Sequence, residues 1–458
     1  MGNIKFGTDG WRAVVGKDFN TENVIKVTNS IGKYILDNFG IDKPVIIGYD
    51  PRNMADVFSK KCAEILAETG FCVKYSKRVV PTPVLAYSAK NLNACAVMFT
   101  ASHNPPEYLG MKFIPDYAGP ATTEITDELT ENLGQKPAKQ RDGRIEEVDF
   151  FEPYYAHLKT LIDFDRIRNL KTNLIFDGLY SASIGYFDRI LELEKIPYKS
   201  LHMMRDINFG GGMPEPKPKF LKELIDKVKS EPNSIGCAND GDADRFGVIN
   251  ENGEYVSPNE IIAILLIHLT KHKNMKGALV KTVGASLLLD KVAKKLNVDV
   301  IETAVGFKHV GAAMREFNPV IGGEESGGLS IQGHIPEKDG LLANLLILEA
   351  MAYENKTLTE LQKDLYTLAG CRFYNDRIDL KLNSIDEIKP VLEKFNSLEE
   401  IGSDKIIKKD TKDGVKLYLS DNTSWILVRP SGTEPLLRIY FESSSPEKIV
   451  SLKKLVNP

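Results

Sequence analysis

Three stretches of the chain repeat one pattern of apolar and polar positions: a short apolar run, a turn carrying polar residues or glycine, then a longer segment with helical spacing of its apolar residues. They are residues 44–53 (PVIIGYDPRN) before 55–68, residues 172–183 (TNLIFDGLYSAS) before 184–193, and residues 277–286 (GALVKTVGAS) before 287–296. A short apolar run bounded by turn residues reads as a strand, and alternation of strands with helices predicts α/β layers with mixed, largely parallel sheets. Three such units predict three similar α/β domains. After residue 370 the pattern changes to two-residue alternation, in residues 373–382, 415–421 and 424–430, and closes on a helical segment at 446–456. That change predicts antiparallel strands and a smaller C-terminal α+β domain.

Boundaries fall where composition shifts. The polar segment 136–144 (KPAKQRDGR) precedes an apparent helix at 152–161, and residues 250–253 (NENG) form a hairpin signal between two apolar runs. The expected domains are therefore residues 1–145, 146–250, 251–368 and 372–458. A length of 458 residues suits three or four domains.

Composition narrows the classes of function. The content is 42% hydrophobic and 27% charged, which is that of a globular protein rather than a disordered one. Lys and Arg total 59 against 63 Asp and Glu, so no overall field exists for nucleic acid and any anion site must be local. Five cysteines without a C-x-x-C pair suggest a reduced, cytoplasmic chain. The start (MGNIKFGTDG) has no apolar signal region, Phe6 stands where a myristoylation signal needs Ser or Thr, and the longest apolar run, 261–267, is too short for a membrane span.

The run Asp240, Gly241, Asp242, Ala243, Asp244, Arg245 places three carboxylates at alternate positions with a guanidinium behind them. On an extended backbone alternate side chains share a face, so three anions would converge and require a positive partner. Oxygen donors favour a hard cation such as Mg2+, and Arg245 suits an anion shared with that cation, phosphate above all. An EF-hand would share the spacing and Glu251 at its twelfth position, but its sixth position needs glycine and holds Arg245. A solvated acidic turn is the other alternative.

Three more polar loops leave apolar strands. Residues 100–106 (TASHNPP) pair Ser102 with His103, but consecutive side chains do not normally face each other and no G-x-S-x-G elbow surrounds them, which disfavours a hydrolase. Nearby Lys112 could move a proton or hold a phosphate. Residues 322–328 (GGEESGG) frame Glu324 and Ser326 with glycines, a set suited to the paired hydroxyls of a sugar, flanked by Lys308 and by His334. Residues 429–435 (RPSGTEP) offer Arg429, Ser431, Gly432 and Thr433 as a compact phosphate cradle whose spacing is not that of a P-loop NTPase.

Taken in order, residues 6–12 (FGTDGWR), 100–112 (TASHNPPEYLGMK), 240–245 (DGDADR), 323–328 (GEESGG) and 429–435 (RPSGTEP) closely resemble the α-D-phosphohexomutase superfamily, which includes phosphoglucomutase and phosphomannomutase. The resemblance runs nearly end to end, and it implies three similar α/β domains and a smaller fourth around one central cleft. It implies Ser102 as a phosphoserine, with Mg2+ held by Ser102, Asp240, Asp242 and Asp244, and Arg245 among the catalytic groups with His103. It further implies Lys112 in proton transfer with Arg12 as electrostatic support, Glu324 and Ser326 on the sugar's 3- and 4-hydroxyls, Lys308 and His334 beside them, and Arg429, Ser431, Gly432 and Thr433 on the non-reacting phosphate. A hexose 1,6-bisphosphate such as glucose 1,6-bisphosphate would turn over in the cleft, and the fourth domain would move to close it.

Glutamate in the sugar loop, where glucosamine-phosphate relatives usually carry Gln, favours glucose and mannose phosphates. Gly328 stands where the dual-specificity mutases often have His. A phosphoglucosamine mutase, a bisphosphate synthase or phosphatase, and a noncatalytic sugar-phosphate or metal sensor are the alternatives. Relatives include monomers and homodimers, and neither a nucleic acid nor a membrane is an expected partner.

Overall fold

The computed structural model describes residues 4–7, 10–430 and 435–456. The apolar runs form strands as the pattern predicts: Val45–Tyr49, Asn173–Asp177 and Leu279–Thr282 are the central parallel strands of three separate sheets. Each pairs in parallel with a second strand, Cys95–Phe99, Ser234–Asn239 and Ile321–Gly323 respectively. Each second strand then ends in a loop and returns as an antiparallel partner, Tyr108–Ile114, Phe246–Ile249 and Leu329–Ile331. The three domains therefore repeat a parallel pair followed by a hairpin, and the three candidate loops all occupy the same place, the hairpin tip at the carboxyl end of a parallel strand. Crevices at such strand ends are where open α/β sheets bind ligands.

The fourth sheet is antiparallel throughout, in the order Tyr374–Lys381, Leu436–Ser443, Trp425–Pro430, Val415–Leu419, Asp404–Asp410, Glu400–Ile401. It too presents its candidate loop at a hairpin tip, between Trp425–Pro430 and Leu436–Ser443. Helices Ile388–Ser397 and Pro446–Val456 belong to this domain.

Two sheet edges cross the expected boundaries. Strand Arg144–Val148 pairs in parallel with Cys72–Ser76, so the first sheet continues past residue 145. The strand after the NENG turn, Tyr255–Val256, pairs back onto Phe246–Ile249, so the second sheet continues past residue 250. In both places a chain leaving a turn is held by ladder hydrogen bonds to the domain it came from, which composition does not reveal.

Alternation along the first sheet divides two cores. Val45, Ile47, Val97 and Phe99 face a core private to the first domain. Ile46, Ala96 and Met98 face the other way, into one apolar core shared by the first three domains. Helix Gly340–Glu354 runs through that shared core, which is why it is apolar on nearly every face; Asp339 caps it, accepting from Leu342 N at 2.9 Å. The fourth domain keeps its own core around Leu417, Val428, Ile439 and Phe441. Among the described residues no helix is long and apolar enough to cross a membrane.

Candidate active site

The serine loop is held in an unfavourable shape by buried charge. Ser102 has φ 51°, in the left-handed region that side chains other than glycine rarely adopt. Its N–H donates to Thr100 Oγ1 at 2.8 Å, and that hydroxyl donates to Asp50 Oδ2 at 2.7 Å. Arg52, fully buried, donates to the carbonyls of Ser102 and Asn104 at 2.6 Å, Pro105 at 2.8 Å and Tyr108 at 3.1 Å. Burial pushes the Asp50 carboxyl up to about 6, opposed chiefly by Arg52, whose Nε lies 3.2 Å away. Neither residue stood out in the sequence, where they read as the polar turn ending a strand; their signal was two charges at the tip of an apolar run.

The left-handed turn brings Ser102 Oγ to 3.2 Å from His103 Nδ1, which corrects the expectation that these consecutive side chains face apart. The positive charge of Arg245, followed by burial, depresses the His103 pKa far below the usual range, so the imidazole is neutral. Ser102 Oγ donates to Asp240 Oδ2 at 2.7 Å, across the boundary between the first and second domains. The loops touch closely: a Cβ on Gly241 would lie 2.5 Å from the Ser102 carbonyl oxygen.

The three aspartates converge, but not by strand alternation. The strand ends at Asn239, and residues 240–244 form a turn with Ala243 at φ 61°, whose N–H donates to Asp240 O at 2.9 Å. Their ligand atoms lie within 4.8 Å of one another and all three side chains are buried. Burial first, and then the charges of their neighbours, push Asp240 well above the carboxylate range and raise Asp242. Thr82 Oγ1 donates to Asp242 Oδ2 at 2.6 Å and Arg245 N to Asp240 Oδ1 at 2.9 Å, while Asp242 Oδ1 has no hydrogen-bond partner among the described residues. Three crowded, buried oxygen donors with an orphaned lone pair fit a hard divalent cation.

Two residues of the 334–339 segment complete this cluster. Lys338 Nζ lies 2.8 Å from Asp244 Oδ2, and Glu337 Oε2 lies 3.0 Å from Lys112 Nζ, which is itself 3.7 Å from Asp244 Oδ2. Of that segment only His334 is an expected site residue from the sequence. That imidazole is buried and hydrogen-bonded at both nitrogens, to Asp339 at 2.9 Å and His157 at 3.0 Å, so it secures the loop and offers no atom to a sugar. Arg12 Nη1 donates to Asn104 Oδ1 at 2.8 Å, on the rim of the serine loop.

In the sugar loop Gly327 adopts φ 99° and closes a tight hairpin, with Glu324 N donating to Gly328 O at 2.9 Å. Glu324 Oε1 accepts from Gly306 N at 2.9 Å, and Ser326 Oγ donates to Oε2 at 3.3 Å. Burial raises its pKa to about 7, against the pull of Lys338. Arg245 bridges the loops electrostatically: burial opposes its charge, but Asp244, Asp240 and Glu324 together raise its pKa. Lys308 donates to Thr123 Oγ1 at 3.0 Å, reaching to the first domain. Arg429 Nε lies 2.9 Å from Asp413 Oδ2; Ser431, Gly432 and Thr433 lie outside the described residues.

The fold and the converging loops find a match along nearly the whole chain. Residues 3–140, 152–253 and 257–369 match the family descriptions of phosphoglucomutase/phosphomannomutase alpha/beta/alpha domains I, II and III, and residues 380–457 match its C-terminal domain. The chain belongs to the phosphoglucomutase/phosphomannomutase family, within the phosphohexomutases, and is an enzyme of the intramolecular phosphotransferase class. It is 32% identical to a phosphoglucomutase/phosphomannomutase of Thermococcus kodakarensis, over 98% of this chain and 96% of that one. It is 31% identical to a phosphoglucosamine mutase of Methanococcus vannielii, over 96% of this chain and 94% of the other. A crystal structure from Thermus thermophilus, assigned as a phosphomannomutase, superposes with a TM-score of 0.88 at 31% identity, covering 99% of this chain and 98% of its own.

Proposed function

We propose that the enzyme interconverts hexose 1-phosphates and hexose 6-phosphates, glucose and mannose phosphates foremost, through a phosphoryl group carried on Ser102. The observation that carries this reading is the 2.7 Å hydrogen bond from Ser102 Oγ to Asp240, at the edge of three mutually repelling buried carboxylates. A phosphoryl group on that oxygen would add negative charge where three anions already crowd, so the arrangement serves only with a cation between them. Asp240, Asp242 and Asp244 would hold Mg2+, which when bound neutralises the serine phosphate and draws electron density from its phosphorus.

The remaining groups divide the work. A sugar hydroxyl attacks the phosphorus as the bond to Ser102 Oγ breaks; the hydroxyl proton leaves to the Lys112 and Glu337 pair and is passed on to Ser102 Oγ as it returns to the hydroxyl form, so none is gained or lost overall. Glu324 and Ser326 read the sugar's hydroxyls. Arg429, with Ser431, Gly432 and Thr433, holds the phosphate that is not reacting. The product of the first transfer is a hexose 1,6-bisphosphate, which turns over and returns its other phosphate to Ser102, so no phosphate is lost. Arg12 fixes the serine loop through Asn104, and neutral His103 donates from Nδ1 to the serine oxygen, whose own hydrogen goes to Asp240.

A second substrate is favoured by several relatives: the Methanococcus protein and others of comparable identity are named for glucosamine phosphate. The test is Mg2+-dependent conversion of glucose 1-phosphate, mannose 1-phosphate and glucosamine 1-phosphate to their 6-phosphates, with catalytic glucose 1,6-bisphosphate. Turnover of glucose or mannose phosphate, lost in Ser102→Ala, is the expected result. Turnover of glucosamine phosphate alone would move the assignment to that sugar, and turnover retained in Ser102→Ala would overturn the phosphoserine.

A further inference from the structure

One carboxylate outside the motifs joins the phosphate end of the cleft to the sugar end. Asp413 sits in the turn between strands Asp404–Asp410 and Val415–Leu419 of the fourth domain. The turn is tightly specified: Gly414 adopts φ 88°, and a Cβ there would lie 2.1 Å from the carbonyl oxygen of Val428. Strand Val415–Leu419 pairs with Trp425–Pro430, so the turn brings Asp413 beside Arg429. Asp413 Oδ2 lies 2.9 Å from Arg429 Nε and also accepts from Val305 N, in the third domain, at 2.8 Å.

Val305 is next to Gly306, whose N–H donates to Glu324 Oε1 at 2.9 Å. A continuous path thus runs from the arginine through Asp413 and two adjacent main-chain amides to the carboxylate of the sugar loop. Glu325 of the same loop is also close enough to raise the Arg429 pKa, so the two ends of the path sense each other electrostatically as well. The ion pair at Nε restrains the guanidinium without meeting hydrogen-bond geometry, and the two terminal nitrogens are the donors a phosphate would use.

We infer that Asp413 is a positioning residue that couples phosphate binding at Arg429 to hydroxyl reading at Glu324. The inference rests on the mutase reading above. Two effects of opposite sign meet at this residue: its negative charge repels a bound phosphate, while its hold on a long, flexible side chain removes the ordering cost of binding. Asp413 meets the guanidinium at Nε rather than at a terminal nitrogen and is partly exposed to solvent, where repulsion is screened, so positioning dominates. The amide path adds a second consequence: losing Asp413 loosens Gly306 and with it Glu324, so discrimination among sugars falls together with affinity.

The test is calorimetric binding of glucose 6-phosphate and of its C4 epimer galactose 6-phosphate to the intact chain, to Asp413→Asn and to Asp413→Ala. Asn keeps an acceptor for Val305 N and loses the charge, whereas Ala loses both. Ala is expected to weaken glucose 6-phosphate about tenfold and to cut the preference for glucose over galactose about fivefold, with Asn weakening affinity but keeping most of the preference. Unchanged affinity, or an equal loss for both sugars in Asp413→Ala, would overturn the coupling while leaving the mutase reading intact. An intact chain that bound neither sugar phosphate would overturn both. Melting temperatures of the three proteins separate a folding defect from a binding one; if Ala fails to fold, the Asn variant's affinity decides, and no loss there overturns the inference.

Discussion

At the scale of single residues, the site is a set of charges held where water cannot screen them, and each is set against a neighbour. The aspartate cluster is the clearest case, because Asp240 and Asp242 are pushed toward protonation by burial and by neighbouring carboxylates. Removing one charge should therefore help the metal-free fold while harming function: Asp242→Asn is expected to stabilise the protein in chelator by about 1–3 kcal/mol and to abolish Mg2+-dependent turnover. Urea unfolding in EDTA, beside an activity assay, checks both halves, and a less stable metal-free variant would contradict the repulsion. Glu324 gives a pH dependence. Its pKa rises from 4.5 to about 7, so the folded state retains a proton that the unfolded chain releases. The stability it contributes is full below pH 4.5 and is lost as pH rises through about 7. Sugar binding runs the other way, since only the ionised carboxylate accepts from two hydroxyls. The value of kcat/KM is expected to climb with pH through that range and to lose this limb in Glu324→Gln.

At the scale of elements, the recurring device is the hairpin tip. The four candidate loops were legible as polar and glycine-bearing interruptions after apolar runs, because strand periodicity and turn chemistry are local properties. What local pattern could not show is how each tip is braced. Arg52 reaches across the first domain to four carbonyls of the serine loop, and Glu337 and Lys338 arrive from the third domain. Those contacts join residues far apart in sequence. The aspartates converge as their alternation predicts, but a turn with left-handed Ala243, not an extended strand, gathers the side chains. Lys308 was grouped with the sugar loop, yet its reach to Thr123 ties the third domain to the first. Close approach of two tips makes Gly241 a sensitive point. Gly241→Ala places a methyl against the Ser102 carbonyl and separates Ser102 from Asp240. Turnover is expected to fall about a hundredfold with the fold intact by circular dichroism, as misplacement near 1 Å does elsewhere. Full activity in this variant would show that the spacing is not critical.

At the scale of the molecule, the division of the core sets what can move. The first three domains share one apolar core and should unfold together, whereas the fourth has a core of its own and meets the third through a small seam. In that seam Lys416 is buried against Trp425, its Nζ 4.2 Å from the ring centroid, and donates to Val283 O at 2.6 Å. Glu442 accepts from Trp425 Nε1 at 2.6 Å and Leu287 N at 2.8 Å. Calorimetry is expected to show two transitions, the smaller belonging to residues beyond 370, and glucose 6-phosphate should draw them together if, as proposed, it bridges Arg429 and Glu324. A single ligand-independent transition would contradict the separate core. The sequence announced this division through its change of period after residue 370, but not the shared core, because the apolar faces of helices do not say which neighbour they meet.

Every role proposed for the cleft depends on Ser102 carrying the phosphoryl group. The most direct measurement is the intact mass of the dephosphorylated protein after incubation with Mg2+ and glucose 1,6-bisphosphate, followed by peptide mapping. A gain of one phosphoryl group is expected, located on Ser102, absent from Ser102→Ala and discharged by added glucose 1-phosphate. A protein that turned over hexose phosphates while Ser102 stayed unmodified, or that carried the group on another residue, would contradict it.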